Sequence, residues 1–229
     1  MEGSAVSSNE HLVIAIDGPS GSGKSSVSKA VARTLKAAYL DTGAMYRAVT
    51  YAVLACGADL SDAAAVAQAV READLQISTD PDAELVVIAG QDVTTAIREP
   101  RITENVSAVA TNLDARAELV RRQREIIAAH PRIVAEGRDI TTVVAPQAPA
   151  RILLTASEEA RMRRRGLELG GTQSQEQLAT QVLARDKKDS TVVNFTQAAD
   201  GVITVDSSDL DFEQTVAAVL DAAGFGRED

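Results

Sequence analysis

Apolar positions along the chain repeat with two different periods, and the switches between them mark out the elements. Leu12-Val-Ile-Ala-Ile16 is apolar on both faces, as in a strand buried within a parallel sheet. From Ser25 to Lys36 the period lengthens: Val27, Val31 and Leu35 fall at i, i+4 and i+8. This predicts an amphipathic helix with basic residues towards its C-terminal end. A brief strand is expected at Ala37 to Leu40, after which Asp41-Thr42-Gly43 caps a helix running to about Cys56. An alanine-rich helix follows from Leu60 to Ala73. Helical periodicity then stops. Leu75-Gln-Ile-Ser78 and Leu85-Val-Val-Ile-Ala89 are short β-type runs separated by Thr79-Asp-Pro-Asp82, and Gly90-Gln-Asp92 supplies a second turn into Val93. Residues 75 to 97 therefore predict a small antiparallel sheet, ended by Pro100.

Beyond it, a helix is expected from Thr103 to about Thr111. A long helix follows from Ala115 to Ala129, with Asp114 as its N-cap and Leu119, Val120, Ile126 and Ile127 on its apolar face. Pro131 stops it. Arg132-Ile-Val-Ala135 and Ala150-Arg-Ile-Leu-Leu-Thr155 predict the next strands, and Ser157-Glu-Glu159 opens a helix that Gly170-Gly171 breaks. A helix from Glu176 to Lys187, a strand at Val202-Ile-Thr-Val205 and a helix from Glu213 to Ala223 complete the pattern. Strands alternating with helices predict a parallel sheet covered on both faces, with ligands at the carboxyl ends of its strands.

Composition narrows the function classes. A length of 229 residues suits one domain with insertions, and 45% hydrophobic with 24% charged residues is ordinary for a globular protein. No run of about 18 apolar residues predicts a membrane span. Met1 to Glu10, without a basic start or apolar core, is expected to be a disordered leader rather than a secretory signal. Cys56 is the single cysteine, which excludes an intrachain disulfide and a cysteine-rich metal site. It is expected to be a small buried hydrophobe in a reducing cytoplasm. His11 and His130 flank predicted elements and are read as structural. The net charge of -10 argues against a nucleic-acid binder. Arginines nevertheless cluster at Arg121, Arg122 and Arg124 and at Arg161, Arg163, Arg164 and Arg165. Such clusters either fork onto a small phosphorylated ligand or form solvated helix faces.

The strongest chemical signal is Gly18-Pro19-Ser20-Gly21-Ser22-Gly23-Lys24-Ser25, a complete GxxxxGK[ST] loop between a predicted strand and a predicted helix. Its backbone N–H groups can cradle phosphate oxygens, Lys24 reaches the β- and γ-phosphates, and the Ser25 hydroxyl can hold Mg2+. Such loops serve GTPases, motor ATPases and small-molecule kinases. No Asn-Lys-x-Asp motif is present, and no bulky apolar strand ends in a clear Walker-B aspartate, so a nucleoside or metabolite kinase fits best. Asp41-Thr-Gly-Ala-Met-Tyr-Arg47 then places Arg47 one helical turn past a cap, where it can meet an acceptor phosphate. Glu136-Gly-Arg-Asp139 follows a strand, and Arg185-Asp-Lys-Lys-Asp189 ends a helix.

With these motifs in this order from Leu12 to Ala223, the chain resembles the bacterial cytidylate kinases of the nucleoside monophosphate kinase superfamily. Arg121-Arg-Gln-Arg124 also matches that family's pattern. The resemblance implies an α/β P-loop nucleoside monophosphate kinase fold: a central parallel sheet flanked by helices, an inserted antiparallel-sheet subdomain that binds the monophosphate, and a helical lid. Core segments at 11–42, 130–157 and 190–229, the monophosphate-binding subdomain at about 43–129 and the lid at about 158–189 are expected to form one kinase domain from 11 to 229. ATP would be held by Gly18 to Ser26, including Ser26 itself, and by Arg161 and Arg164. CMP would be held by Thr42, Arg47, Ser107, Arg116, Arg138, Asp139, Arg185 and Asp189.

Within that set, Ser107, Arg116 and Asp139 match positions that read cytosine, Arg47 and Arg138 the acceptor-phosphate clamps, and Arg185 and Asp189 the ribose contacts. Lys24, Arg138 and Arg185 are the expected catalytic residues, with Mg2+ on Ser25 beside the ATP phosphates. The lid arginines would arrive only on closure. One position departs from the family: Val192 stands where an arginine on the transferred phosphate is usual, with Lys187 or Lys188 as point-charge substitutes. The implied activity is transfer from ATP to CMP or dCMP by a cytoplasmic monomer with no nucleic-acid or membrane partner. The rivals are a kinase for UMP, AMP or a metabolite, and a P-loop regulator that transfers nothing.

Overall fold

The computed structural model describes residues 11–168, 186–187 and 190–226. Five parallel strands form the central sheet: β1 (Leu12–Asp17), β2 (Ala38–Asp41), β6 (Arg132–Gly137), β7 (Ala150–Thr155) and β8 (Ile203–Asp206), in the order β2-β6-β1-β7-β8. Strand β1 is central, and its two-sided apolar sequence follows from that position. Val13 and Ala15 face a core shared with Leu40, Ile133 and Ala135, whereas Ile14 and Ile16 face one shared with Val31, Val134, Ile152 and Val219. The first core is covered by α2 (Thr42–Ala55), α3 (Ala63–Glu72), α5 (Val106–Ala110) and α6 (Leu113–Ala128), the second by α1 (Lys24–Leu35) and α8 (Phe212–Ala222). Helix α7 (Glu158–Glu168) follows β7. Among the described residues no helix is long and apolar enough to cross a membrane.

The inserted segment is the expected antiparallel sheet, β3 (Leu75–Ile77), β4 (Val86–Ile88) and β5 (Gln91–Asp92). Its third strand was hidden in the sequence, because Gln91 and Asp92 read as turn residues. The turn is Ala89-Gly90, both at positive φ (49° and 77°), and it pairs Ile88 with Gln91. Val86, Ile88, Val93 and Ile97 pack this sheet onto Ala44 and Ala48 of α2.

Four local expectations are corrected. Asn112, not Asp114, caps α6: its side chain accepts from Ala115 N, and Asp114 sits in the first turn, where its charge suits the helix dipole. Pro100 opens a short helix, α4 (Pro100–Thr103), and the helix expected from Thr103 to Thr111 is split into α4 and α5. Cys56 is an exposed C-cap with a free thiol rather than a buried hydrophobe. A π-helical turn at Ile140–Val144, unread in the sequence, follows β6. The predicted Gly170-Gly171 break and most of the Glu176–Lys187 helix lie outside the described residues.

Candidate active site

The phosphate loop lies where the two periods meet, between the end of β1 and the start of α1. Gly21 and Gly23 adopt φ of 79° and 88°, conformations that a side chain would strain, and Gly23 leads into α1 with no side chain capping its first N–H groups. Gly18, Pro19 and Ser22 are buried beneath the loop, which is tightened by Ser22 N donating to Pro19 O at 3.3 Å. Ser20, Gly21, Gly23, Lys24, Ser25 and Ser26 face a cavity of about 580 Å3. Arg161 and Arg164 are already seated on the loop: Arg161 donates to Ser20 O at 2.9 Å, and Arg164 to Ser22 O at 3.1 Å and to Ser207 Oγ and O. This corrects the expectation that they arrive only when a lid closes.

Parallel register brings three acidic residues to neighbouring strand ends, because Asp41 pairs with Glu136 and Asp17 with Gly137. Glu136 is 2% exposed. It accepts from Ser25 Oγ at 2.6 Å and Tyr39 Oη at 3.2 Å, with Lys24 Nζ at 3.9 Å. Burial first, then the Asp41 charge, push its pKa up, while Lys24, Ser25 and Arg47 pull the other way. Glu136 stands at the end of the strand beside β1, next to the loop, where the sequence offers no Walker-B aspartate. It is legible in the sequence as an acid ending Ile133-Val-Ala135, but a glutamate does not match the aspartate of that motif. Asp17 was also missed. Its carboxylate accepts from Ile140 N and Thr141 N, both at 2.8 Å, and from Thr141 Oγ1 at 2.6 Å, pinning the π-helical turn that follows Asp139. Burial raises Asp17 to about 6 against those hydrogen bonds.

The far side of the same cavity is built by α2, α5, α6 and the segment after β6. Asp41 caps α2 by accepting from Ala44 N at 2.7 Å and pairs with Arg47 Nη2 at 3.2 Å; Arg47 Nε is buried with no partner among the described residues. Thr42 Oγ1 donates to Glu136 O at 2.8 Å, approaching Gly137 so closely that a Cβ there would lie 2.5 Å from it. Arg116 and Asp139 form a short ion pair on the cavity wall, 13% and 5% exposed. Burial holds the Asp139 pKa up, opposed by Arg116. Ser107 is buried on α5, whose Val106 and Ala110 line the cavity while Ser107 itself does not. Tyr46 belongs both to the core and to the wall. Arg138 reaches the cavity with Phe195 4.3 Å beneath its guanidinium and Asp186 Oδ1 2.7 Å from Nη1. Asp186 also takes Arg161 Nη1 at 2.6 Å and Ser20 N at 3.3 Å, so one carboxylate ties the phosphate loop to Arg138. Its burial raises the pKa, but the two arginines more than offset this and leave it below the usual carboxylate range.

Sequence comparison decides the family. The cytidylate kinase family model matches residues 14–224. The chain is 48% identical to the cytidylate kinase of Cutibacterium acnes, over 93% of this chain and 96% of that one. It is 47% identical to that of Nocardia farcinica, over 92% and 93%. The chain belongs to the cytidylate kinase family. It is thus a nucleoside monophosphate kinase, and the family's reaction is phosphorylation of CMP or dCMP by ATP. A crystal structure of an uncharacterized protein from Eubacterium ventriosum shares the fold, with a TM-score of 0.52 at 12% identity over 93% of this chain and 98% of that one.

The other residues that the sequence singles out divide clearly. Arg185, Lys188 and Asp189 lie outside the described residues, and Lys187 is exposed. Val192 and Val193 line the cavity, together with Arg165 of the expected lid cluster and with Arg98 and Thr103, which sequence reasoning did not select. In the Arg121–Arg124 cluster, Arg121 lies on a solvated face of α6 while Arg122 and Arg124 are tied to backbone carbonyls. Arg121 pairs with Glu118 and Glu125, Arg122 with Glu118 and the carbonyls of Val70, Arg71 and Ala73, and Arg124 with the carbonyls of Val143 and Val144. Arg122 fastens α6 to α3 and Arg124 fastens it to the π-helical turn, whereas Arg121 pairs within α6 itself. His130 is structural as expected, held between Ile126 O at 2.8 Å and Thr79 Oγ1 at 3.0 Å.

Proposed function

We propose that this cavity is where the γ-phosphoryl group of ATP passes to CMP or dCMP. The observation that carries the reading is the continuity of one wall, which runs from Lys24 and Ser25 of the phosphate loop to the Arg116–Asp139 pair. Donor phosphates lie on the loop, with Lys24 on their terminal oxygens, and Arg161 and Arg164 brace the loop from behind. On the acceptor side, the Arg116–Asp139 pair offers an acceptor and a donor side by side. That complements cytosine, whose edge has an amino group next to ring acceptors. The buried, unpartnered Nε of Arg47 suits the phosphate of the monophosphate, with Arg138 opposite.

In the transfer, an oxygen of the CMP phosphate bonds to the γ-phosphorus while the bond from that phosphorus to the β-bridging oxygen breaks, giving CDP and ADP. The acceptor phosphate has a pKa near 6 and is already ionised at neutral pH, so no protein base is required and the chain supplies positioning and positive charge. The donor set fits Mg2+: a hydroxyl and a carboxylate, Ser25 and Glu136, stand 2.6 Å apart beside the loop. Mg2+ commonly takes one or two such oxygens plus phosphates and water. Bound there, it would neutralise charge across the β- and γ-phosphates. The monophosphate-binding part spans about 43–129, built on the β3–β5 sheet and its helices, and α7 begins the lid region of about 158–189. The reading has the protein acting as a monomer, and an exposed unpaired thiol suits a reducing cytoplasm.

Mixing the protein with ATP, CMP and Mg2+ should yield CDP and ADP one for one. Lys24→Ala should cut turnover by about 10^2- to 10^3-fold with its thermal midpoint unchanged. Retention of more than about a tenth of the parent's turnover would exclude the loop as the donor site.

A further inference from the structure

We infer that Tyr39 is a positioning residue for the metal-dependent binding of ATP, its hydroxyl holding the Glu136 carboxylate in place; this rests on the reading of Ser25 and Glu136 as the Mg2+ donor set. The placement follows from strand periodicity. Tyr39 of β2 stands opposite Val134 of β6 in the parallel register, and both side chains belong to the core beneath α1. Glu136 comes two residues after Val134 and so points to the same face of the sheet. That face is covered by α1, whose first residues are Lys24 and Ser25. From the neighbouring strand the Tyr39 hydroxyl donates to Glu136 Oε1 at 3.2 Å, the same oxygen that accepts from Ser25 Oγ at 2.6 Å. The tyrosine itself is fixed. It is 3% exposed, its backbone N–H donates to Thr79 O at 2.8 Å, and Lys29 Nζ of α1 lies 5.5 Å from the centre of its ring.

The origin of each contact on Glu136 gives the hydroxyl its role. A carboxylate buried this deeply needs donors on its oxygens. Ser25 and Lys24 meet it from the phosphate loop, and both also serve the nucleotide in the proposed reading, Lys24 at the terminal phosphate and Ser25 at the metal. Tyr39 meets it from the sheet, on a strand that the loop does not include. Its hydrogen bond therefore orients the carboxylate independently of what the loop holds. Groups that stand behind a metal-binding carboxylate in this way typically govern metal affinity or activity by about 10- to 100-fold. A tyrosine that merely filled the core would act through its ring, and loss of its hydroxyl would not distinguish metal-bound from metal-free nucleotide.

The test is titration calorimetry of the chain with ATP, once in excess Mg2+ and once in EDTA. Tyr39→Phe removes the hydroxyl and keeps the ring. It should bind ATP about tenfold more weakly than the parent in Mg2+ but within about twofold of the parent in EDTA, where binding also shows that the loop is folded. Glu136→Gln should weaken binding in Mg2+ as well. Adding Tyr39→Phe to it should change the affinity by no more than about twofold, because residues that act through one contact are not additive. Equal affinities of parent and Tyr39→Phe in Mg2+, equal losses in Mg2+ and EDTA, or additive losses in the double variant would each overturn the assignment and leave the metal site standing. A parent that binds ATP no more tightly in Mg2+ than in EDTA would instead refute Ser25 and Glu136 as the metal donor set, and the role of Tyr39 with it.

Discussion

At the scale of single residues, the proposed reading places base selectivity on the contact between Arg116 and Asp139. Cytosine and uracil differ where an exocyclic amino donor becomes a carbonyl acceptor, and a carboxylate attracts the first and repels the second. Burial raises the Asp139 pKa and Arg116 opposes it, so the pair favours the charged acceptor that the base would meet. Asp139→Ala should lower kcat/KM strongly for CMP and weakly for UMP, narrowing their ratio by roughly 10- to 100-fold, equivalent to about 1–3 kcal/mol for one polar contact. Arg116→Ala should lower both together, since the ring carbonyl it faces is common to the two bases. An unchanged ratio in Asp139→Ala, with both rates reduced alike, would make Asp139 a brace for Arg116 and move base reading elsewhere.

At the scale of elements, the site is a set of strand ends held in register, and Asp17 shows how one element positions another. It closes β1 at the donor loop, yet its carboxylate grips the first turn after Asp139, on the acceptor side. Asp17→Asn would leave one oxygen for three donors and turn an amide N–H2 towards an N–H or O–H. KM for CMP should rise about tenfold while the dissociation constant for ATP stays within about twofold, measured by kinetics and by titration calorimetry. Equal losses for both ligands would mean that Asp17 only supports the fold. Sequence reasoning had good purchase on elements whose signal is local: the phosphate loop, the alternation of β1 and the turn-rich insert. It failed where the cause is tertiary. Glu136 meets Ser25 and Lys24 because β6 pairs beside β1, and Asp17 grips a turn 123 residues later in the chain. Asn112 and Asp114 are both good caps by type, and only the backbone selects one.

At the scale of the whole molecule, the parallel sheet gathers Asp17, Asp41 and Glu136 at one edge, and the insert carries the acceptor wall up against them. Exposed ion pairs join the two parts: Lys29 and Arg98 share Glu84, and Arg33 pairs with Asp82, linking the helix after the phosphate loop to the β3–β4 connection. Each such pair is worth at most about 1 kcal/mol, so they guide the insert without locking it. Family membership, the continuous cavity wall and the proposed base-reading pair Arg116–Asp139 converge on one claim: phosphoryl transfer here is triggered by a cytosine monophosphate. The most direct measurement is ADP release from ATP and Mg2+ with CMP, dCMP, UMP, AMP and GMP compared at equal, subsaturating concentration. CMP and dCMP should drive release at least tenfold faster than the others, with little release when no monophosphate is added. Release that is independent of the monophosphate, or fastest with UMP or AMP, would contradict the account.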